Sequence, residues 1–101
     1  MRLQFSSLAL QDTDGIFSYI NDTLRNPTAA SNTISAIIHT SSRLSEFPRS
    51  GTIIQLVNSR NVEVRYIISG SYLIAYVAEP NHIEVIRILY ARSDYVRLLH
   101  T

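Results

Sequence analysis

The 101 residues suffice for one domain and not for two, so residues 1–101 are read as a single unit. Hydrophobic residues make up 46% of the chain and charged residues 17%, the balance of a folded protein rather than a disordered one. The absence of cysteine excludes disulfides, thiolate nucleophiles and cysteine metal ligands, and agrees with a reducing, cytoplasmic setting. All nine basic residues are arginine, which excludes lysine-based acid–base and Schiff-base chemistry, and a net charge of +1 is little for a protein that grips polyphosphate over a wide surface.

Met1–Phe5 runs at once into the polar Ser6-Ser7 pair, unlike a secretory leader. The longest apolar run, Tyr72–Ala78, falls well short of the roughly 20 residues a membrane helix needs, so no membrane association is expected. Arg2–Phe5 alternates polar and apolar residues and suits a short first strand. Ser6 or Ser7 then offers an N-cap for a helix to about Leu24, with Ala9, Ile16, Phe17, Ile20 and Leu24 as its buried stripe. Gly15 weakens that helix by about 1 kcal/mol without forbidding it. Asn26-Pro27 interrupts the pattern, because the residue before proline is pushed out of the helical region. A second helix runs from near Thr28 to about Ser45, with Ala30, Ile34, Ile37, Ile38, Ser41 and Leu44 on one face. The short break between the two predicts an antiparallel helical hairpin.

After Gly51 the sequence turns to β-branched and aromatic residues in four runs: Ile53–Val57, Val62–Ile68, Tyr72–Ala78 and Ile83–Tyr90. The links 58–61, 69–71 and 79–82 are turn-like and short, which predicts an antiparallel meander. Ser93–Leu99 is compatible with a short C-terminal helix. The expected fold is therefore α+β: an N-terminal strand, an antiparallel helical hairpin packed on an antiparallel β-meander, and a short C-terminal helix.

Three stretches, taken together and in order, resemble the ParE/RelE superfamily of bacterial toxins from type II toxin–antitoxin systems. The first is Phe5-Ser6-Ser7-Leu8-Ala9-Leu10-Gln11-Asp12 followed by Ile16-Phe17-Ser18-Tyr19-Ile20, where a strand ends in serine and a spaced alanine and aspartate follow. The second is Asn26-Pro27-Thr28-Ala29-Ala30 with the ending Leu44-Ser45-Glu46-Phe47-Pro48-Arg49-Ser50-Gly51, a Leu-x-x-Phe-Pro-x-x-Gly pattern. The third is Gly70-Ser71-Tyr72-Leu73-Ile74-Ala75-Tyr76, with Ile83–Leu89 and Tyr90-Ala91-Arg92-Ser93-Asp94 behind it.

The resemblance is closer to the ParE branch than to the RNA-cleaving, RelE-like branch. Cleavage of messenger RNA needs groups that deprotonate a 2′-hydroxyl, stabilise a pentavalent phosphorane and protonate the leaving oxygen. Leu73 stands where the RNA-cleaving members carry a catalytic arginine, and Val64 and Tyr66 stand where their lysines are expected. Against this, Arg92-Ser93-Asp94-Tyr95 resembles the end from which some RNA-cleaving members donate an arginine and a tyrosine, with Arg87 and Arg97 as supporting cations. The ParE branch implies a toxin that is not an enzyme, inhibits DNA gyrase and is neutralised by a cognate, ParD-like antitoxin in a hetero-oligomer. Operator DNA would be bound only through that antitoxin. The sequence departs from this branch too, since Tyr90 replaces the histidine usual before the arginine. The alternatives are a ribosome-dependent messenger-RNA endoribonuclease and a degenerate member without toxicity.

Contact with target or antitoxin is assigned to Arg65, Arg87, Tyr90, Arg92, Tyr95 and Arg97. For several of these a purely structural role stands beside the functional one. Arg87 reads equally as a structural arginine paired with Glu63 or Glu84, Arg65 as a solvated sheet position, and Arg92 as the partner of Asp94 in a surface pair worth little. Tyr72 and Tyr76 share a strand face and are expected in the core, with hydroxyls reaching the edge. Tyr90 and Tyr95 are expected to be exposed, and arginine beside tyrosine is the usual chemistry of a binding hot spot. No metal site is expected from His39, His82 and His100, which have no spaced partners, and three dispersed glycines make no phosphate loop, so no cofactor is implied.

Overall fold

Side-chain caps and turn residues mark out the elements almost one by one. In the structure, a computed structural model that describes residues 2–54 and 63–92, the chain begins with β1 (Arg2–Phe5) and turns directly into α1 (Ser7–Ser18). Ser6 is the N-cap, its hydroxyl accepting the Ala9 N–H at 3.0 Å. The helix ends in a π turn, Tyr19–Thr23, closed by Leu24 N–H donating to Tyr19 O at 3.1 Å. Arg25 follows with φ 52°, a left-handed backbone that a side chain rarely adopts. Asn26 then caps α2 (Pro27–Ser42) by accepting the Ala29 N–H, and Pro27 occupies the first turn, where its missing donor costs nothing. A 3-10 turn, Arg43–Ser45, ends the helical half.

The buried stripes on the two helices are narrower than the spacing predicts. Ala9, Ile20, Ala30, Ile37, Ser41 and Leu44 are buried, but Phe17, Leu24 and Ile38 are among the exposed large hydrophobics. Phe17 and Ile38 each follow an inward-facing isoleucine by one residue, a rotation of about 100° that carries them past the edge of the contact. Leu24 lies beyond the π turn, whose extra residue shifts the helical phase.

The sheet is built from β2 (Thr52–Ile54), β3 (Val64–Ser69), β4 (Tyr72–Ala78) and β5 (His82–Tyr90), in the order β1-β5-β4-β3-β2. The meander β2–β5 is antiparallel, as expected, whereas β1 pairs with β5 in parallel, so the whole sheet is mixed. Parallel pairing is available because the chain between β1 and β5 is long, running through the helical hairpin and β2–β4 before it returns beside β1. The strands expected at Ile53–Val57 and Val62–Ile68 are described over Thr52–Ile54 and Val64–Ser69; the turn 58–61 and the helix Ser93–Leu99 lie outside the described residues.

One face of the sheet holds the main core, in which Ile74, Tyr76, Ile83, Val85 and Ile88 meet Ala9, Ile37 and Leu44 of the helical half. The other face carries a second cluster of Val64, Leu73 and Ala75, with Ile54, Tyr66, Val77 and Ile86 against it. Strand β4 therefore buries both faces. This explains a run of consecutive apolar residues where a one-sided strand would alternate.

The loop between the halves is fixed by a buried hydroxyl. Tyr76 is fully buried, and its Oη donates to Pro48 O and accepts from Gly51 N–H, each at 2.9 Å. The hydroxyl thus ends inside the molecule rather than at the edge expected for it. A Cβ on Gly51 would lie 2.6 Å from that oxygen and 2.8 Å from Tyr66 O, so the closing glycine of the Leu-x-x-Phe-Pro-x-x-Gly pattern is required by space. Replacing Tyr76 by Phe strands a partly buried carbonyl and a buried N–H and is expected to cost about 1–3 kcal/mol in urea denaturation. Gly51→Ala is expected to cost a similar amount, about 1–3 kcal/mol, by overpacking.

Candidate functional site

Strand β1 is shorter than β5, and where it ends, side chains of the following helix take over its bonding. Leu3 to Phe5 pair with Ile83 to Val85, after which Ser6 N–H donates to Val85 O at 2.9 Å and Ser6 Oγ donates to Ile86 O at 2.9 Å. Two turns along α1, Asp12 Oδ2 accepts the Ile88 N–H at 2.9 Å. The same carboxylate takes a two-pronged contact from Arg87, Nε to Oδ2 at 2.9 Å and Nη2 to Oδ1 at 3.1 Å. Ser6, Ala9 and Asp12 recur every three residues. This places the cap, a fully buried small contact and the clamp on the side of α1 that meets β5.

Across this clamp the strand is irregular. Tyr76 pairs with Val85 but Ala75 pairs with Arg87, so Ile86 is an extra residue, a β-bulge. Its consequence is a change of phase. Ile83 and Val85, at odd positions, enter the main core before the bulge, and Ile88, at an even one, enters it after. The Arg87 pKa is raised above the ordinary guanidinium value, chiefly by the bond to Asp12; burial opposes the shift and the Coulomb attraction of the carboxylate adds to it.

The six residues assigned to contact do not form one site. Arg65 on β3 has a side chain only 13% exposed, and it donates to Gly51 O at 2.8 Å and Arg49 O at 3.2 Å while pairing with Glu63 at 2.8 Å. It is therefore tied into the Phe47–Gly51 loop and is not the solvated sheet position expected. Arg87 is a paired arginine, but its partner is Asp12, supplied by a helix 75 positions away, and not Glu63 or Glu84. Tyr90 is 44% exposed, and its ring meets that of Tyr72 edge to face at 5.8 Å. Arg92 is exposed just beyond, in a turn anchored by Ala91 N–H on Ser71 O at 2.8 Å. By the strand register, Arg65 aligns with Tyr76, near one end of the sheet, and Tyr90 with Tyr72, at the other. Tyr95 and Arg97 lie outside the described residues.

Beside Tyr90 a groove of about 880 Å³ opens between the end of α1 and the β4–β5 end of the sheet, lined among others by Ile16, Tyr19, Ile20, Leu24, Tyr72 and Tyr90. Burial, then the neighbouring phenols of Tyr90 and Tyr19, raise the Tyr72 pKa above its ordinary value. The groove was not legible in the sequence, because Leu24 lines it from beyond a π turn that helical spacing does not anticipate. The Ser6–Ala9–Asp12 spacing, by contrast, was in view. Among the described residues no three His, Asp or Glu side chains are grouped to hold a metal ion, and no helix is long and apolar enough to cross a membrane. An aromatic groove with an exposed arginine two residues beyond Tyr90 is equipped to bind a macromolecular surface.

A family model for the ParE toxin of type II toxin–antitoxin system, parDE, matches residues 3–95. Among solved structures, the chromosomal ParDE TA system from P. aeruginosa superposes with a TM-score of 0.73 over 91% of this chain and 97% of that one, at 19% identity, a likeness of fold. No curated protein sequence matches the chain.

Arg87→Lys retains the charge but loses the two-pronged geometry. It is expected to destabilise the fold by about 1–2 kcal/mol and Arg87→Ala by about 2–3 kcal/mol, read from urea midpoints.

Proposed function

The chain belongs to the family of ParE toxins of type II toxin–antitoxin systems, and from that premise we propose that it inhibits DNA gyrase and is neutralised by a cognate, ParD-like antitoxin. Both activities are non-enzymatic in this reading, and the working surface is the end of β5 with Tyr90 and Arg92.

The observation that carries the choice of target is the second core cluster. Leu73 and Val64, two of the positions at which the RNA-cleaving relatives are expected to hold cations, are 1% and 2% exposed and pack on Ala75, with Tyr66 against them. A guanidinium or ammonium placed there would have to be desolvated among apolar side chains, at a cost of several kcal/mol. Transition-state stabilisation of a phosphorane needs those charges aimed at substrate. This face is built for packing instead. The two arginines on β3 and β5 are already engaged, Arg65 with loop carbonyls and Glu63, Arg87 with Asp12.

An antitoxin segment has two kinds of place to dock. The groove beside Tyr72 and Tyr90 fits an amphipathic helix, and β1 and β2 are the outer strands of the sheet among the described residues. Docking at the groove would cover the exposed apolar surface of Tyr19, Leu24 and Tyr90.

Induction of the protein in bacteria without its antitoxin is expected to give filamentous cells and a DNA-damage response, and purified protein is expected to raise the amount of cleaved DNA trapped on gyrase. Arg92→Ala is expected to weaken both effects at least about tenfold, the scale of one lost charged contact. Rapid translation arrest with cut messages would instead establish the nuclease reading, and normal growth would mark a degenerate member.

A further inference from the structure

We propose that Asp12 is a positioning residue: by holding the bulge at Ile86, it sets the phase of the second half of β5 and so decides that Tyr90 and the Arg92 turn stand at the Tyr72 groove. Three observations converge on this role. The Asp12 carboxylate binds the first backbone N–H beyond Arg87 and the Arg87 guanidinium together, so the segment that leaves the bulge is anchored to one group. The phase of β5 inverts there, from Ile83 and Val85 inward to Ile88 inward. Tyr90 follows Ile88 by two residues and reaches Tyr72 across the strand pair.

The alternative register shows what the clamp prevents. Without the extra residue at Ile86, unbroken alternation from Ile83 and Val85 turns Arg87 and Leu89 toward the helices and Tyr90 to the opposite face. Burying Leu89 in place of Ile88 costs little, so hydrophobicity does not strongly separate the two registers. Burying Arg87 does, yet its long stem can carry its charge out to solvent. The bond from Ile88 N–H to Asp12 exists only in the bulged register, because it is the bulge that brings this donor opposite the helix once β1 has ended. The clamp thus converts a weak preference into one fixed arrangement.

This inference rests on reading the end of β5 as the contact surface, but it can be tested without antitoxin or gyrase. In NMR spectra of the whole chain, Asp12→Ala is expected to abolish the Tyr72–Tyr90 ring contact and to speed exchange of the Ile88 amide by at least about tenfold, the loss of one hydrogen bond. Asp12→Asn keeps an acceptor for Ile88 and is expected to retain the ring contact. Deleting Ile86 from the Asp12→Ala protein removes the extra residue, makes the alternation continuous through Ile88 and Tyr90, and is expected to restore the contact. A merely stabilising carboxylate would gain nothing from that deletion. Should Asp12→Ala not fold, recovery of folded protein by the deletion supports the positioning role equally. A ring contact that survives Asp12→Ala, or that the deletion fails to restore, overturns the proposal. If the contact is lost while growth inhibition is intact, the positioning role stands and the assignment of the contact surface falls.

Discussion

The contact between Asp12 and the Arg87–Ile88 segment is the constraint on which the rest of the molecule depends. A parallel edge strand of four residues cannot accompany a strand of nine, and the stretch of β5 beyond it has backbone groups that need partners. Ser6 and Asp12 supply them from the helix that β1 leads into, so the chain that follows the strand continues its work with side chains. Because the carboxylate is partly buried and meets a guanidinium in two-pronged geometry, the pair is stronger than an ordinary surface one. It also occupies a strand edge that would otherwise be open to another chain.

The second constraint acts at the other end of the sheet. Tyr76 reaches from β4 into the loop that follows the helical half, and one hydroxyl satisfies both a carbonyl and an N–H there. Arg65 adds bonds to the carbonyls of the same loop. The helical half is therefore pinned to the meander at two places, through Asp12 near the outer edge and through Tyr76 near the inner strands. Several residues of the motifs by which the chain resembles its family sit in these two pins: Ser6, Ala9 and Asp12 in the first, Pro48, Gly51 and Tyr76 in the second. These residues hold the scaffold, and the solved structure matched at 19% identity shares that fold.

In the proposed reading, contact with target and antitoxin falls to what the scaffold leaves exposed. The sheet face away from the helices is filled by Val64, Leu73 and Ala75. The exposed aromatic and apolar side chains Tyr19, Leu24 and Tyr90 gather instead at the groove by the β4–β5 end, with Arg92 beyond them. A π turn and a residue in the left-handed region shape one wall of that groove, and a bulge shapes the other. Local irregularities of this kind concentrate where a protein meets its partners.

By itself the sequence determined the two helices with the serine cap of the first, the break at Asn26-Pro27, the change of character after Gly51 and the antiparallel meander, because each is encoded locally by caps, turn residues and periodicity. The toxin family entered as a resemblance carried by three ordered motifs. The sequence also put Leu73, Val64 and Tyr66 at the positions where the resemblance to the RNA-cleaving members implies cations. Only the tertiary structure decided that β1 joins in parallel, that Arg87 answers to Asp12 rather than to Glu63 or Glu84, and that Arg65 is occupied by a loop. Those partners lie 14 to 80 positions apart, and no spacing rule spans that distance. The phase of β5 belongs with them. Ile86 reads as one more apolar residue in the strand, and only the helix across from it determines which side of the sheet Tyr90 comes to occupy.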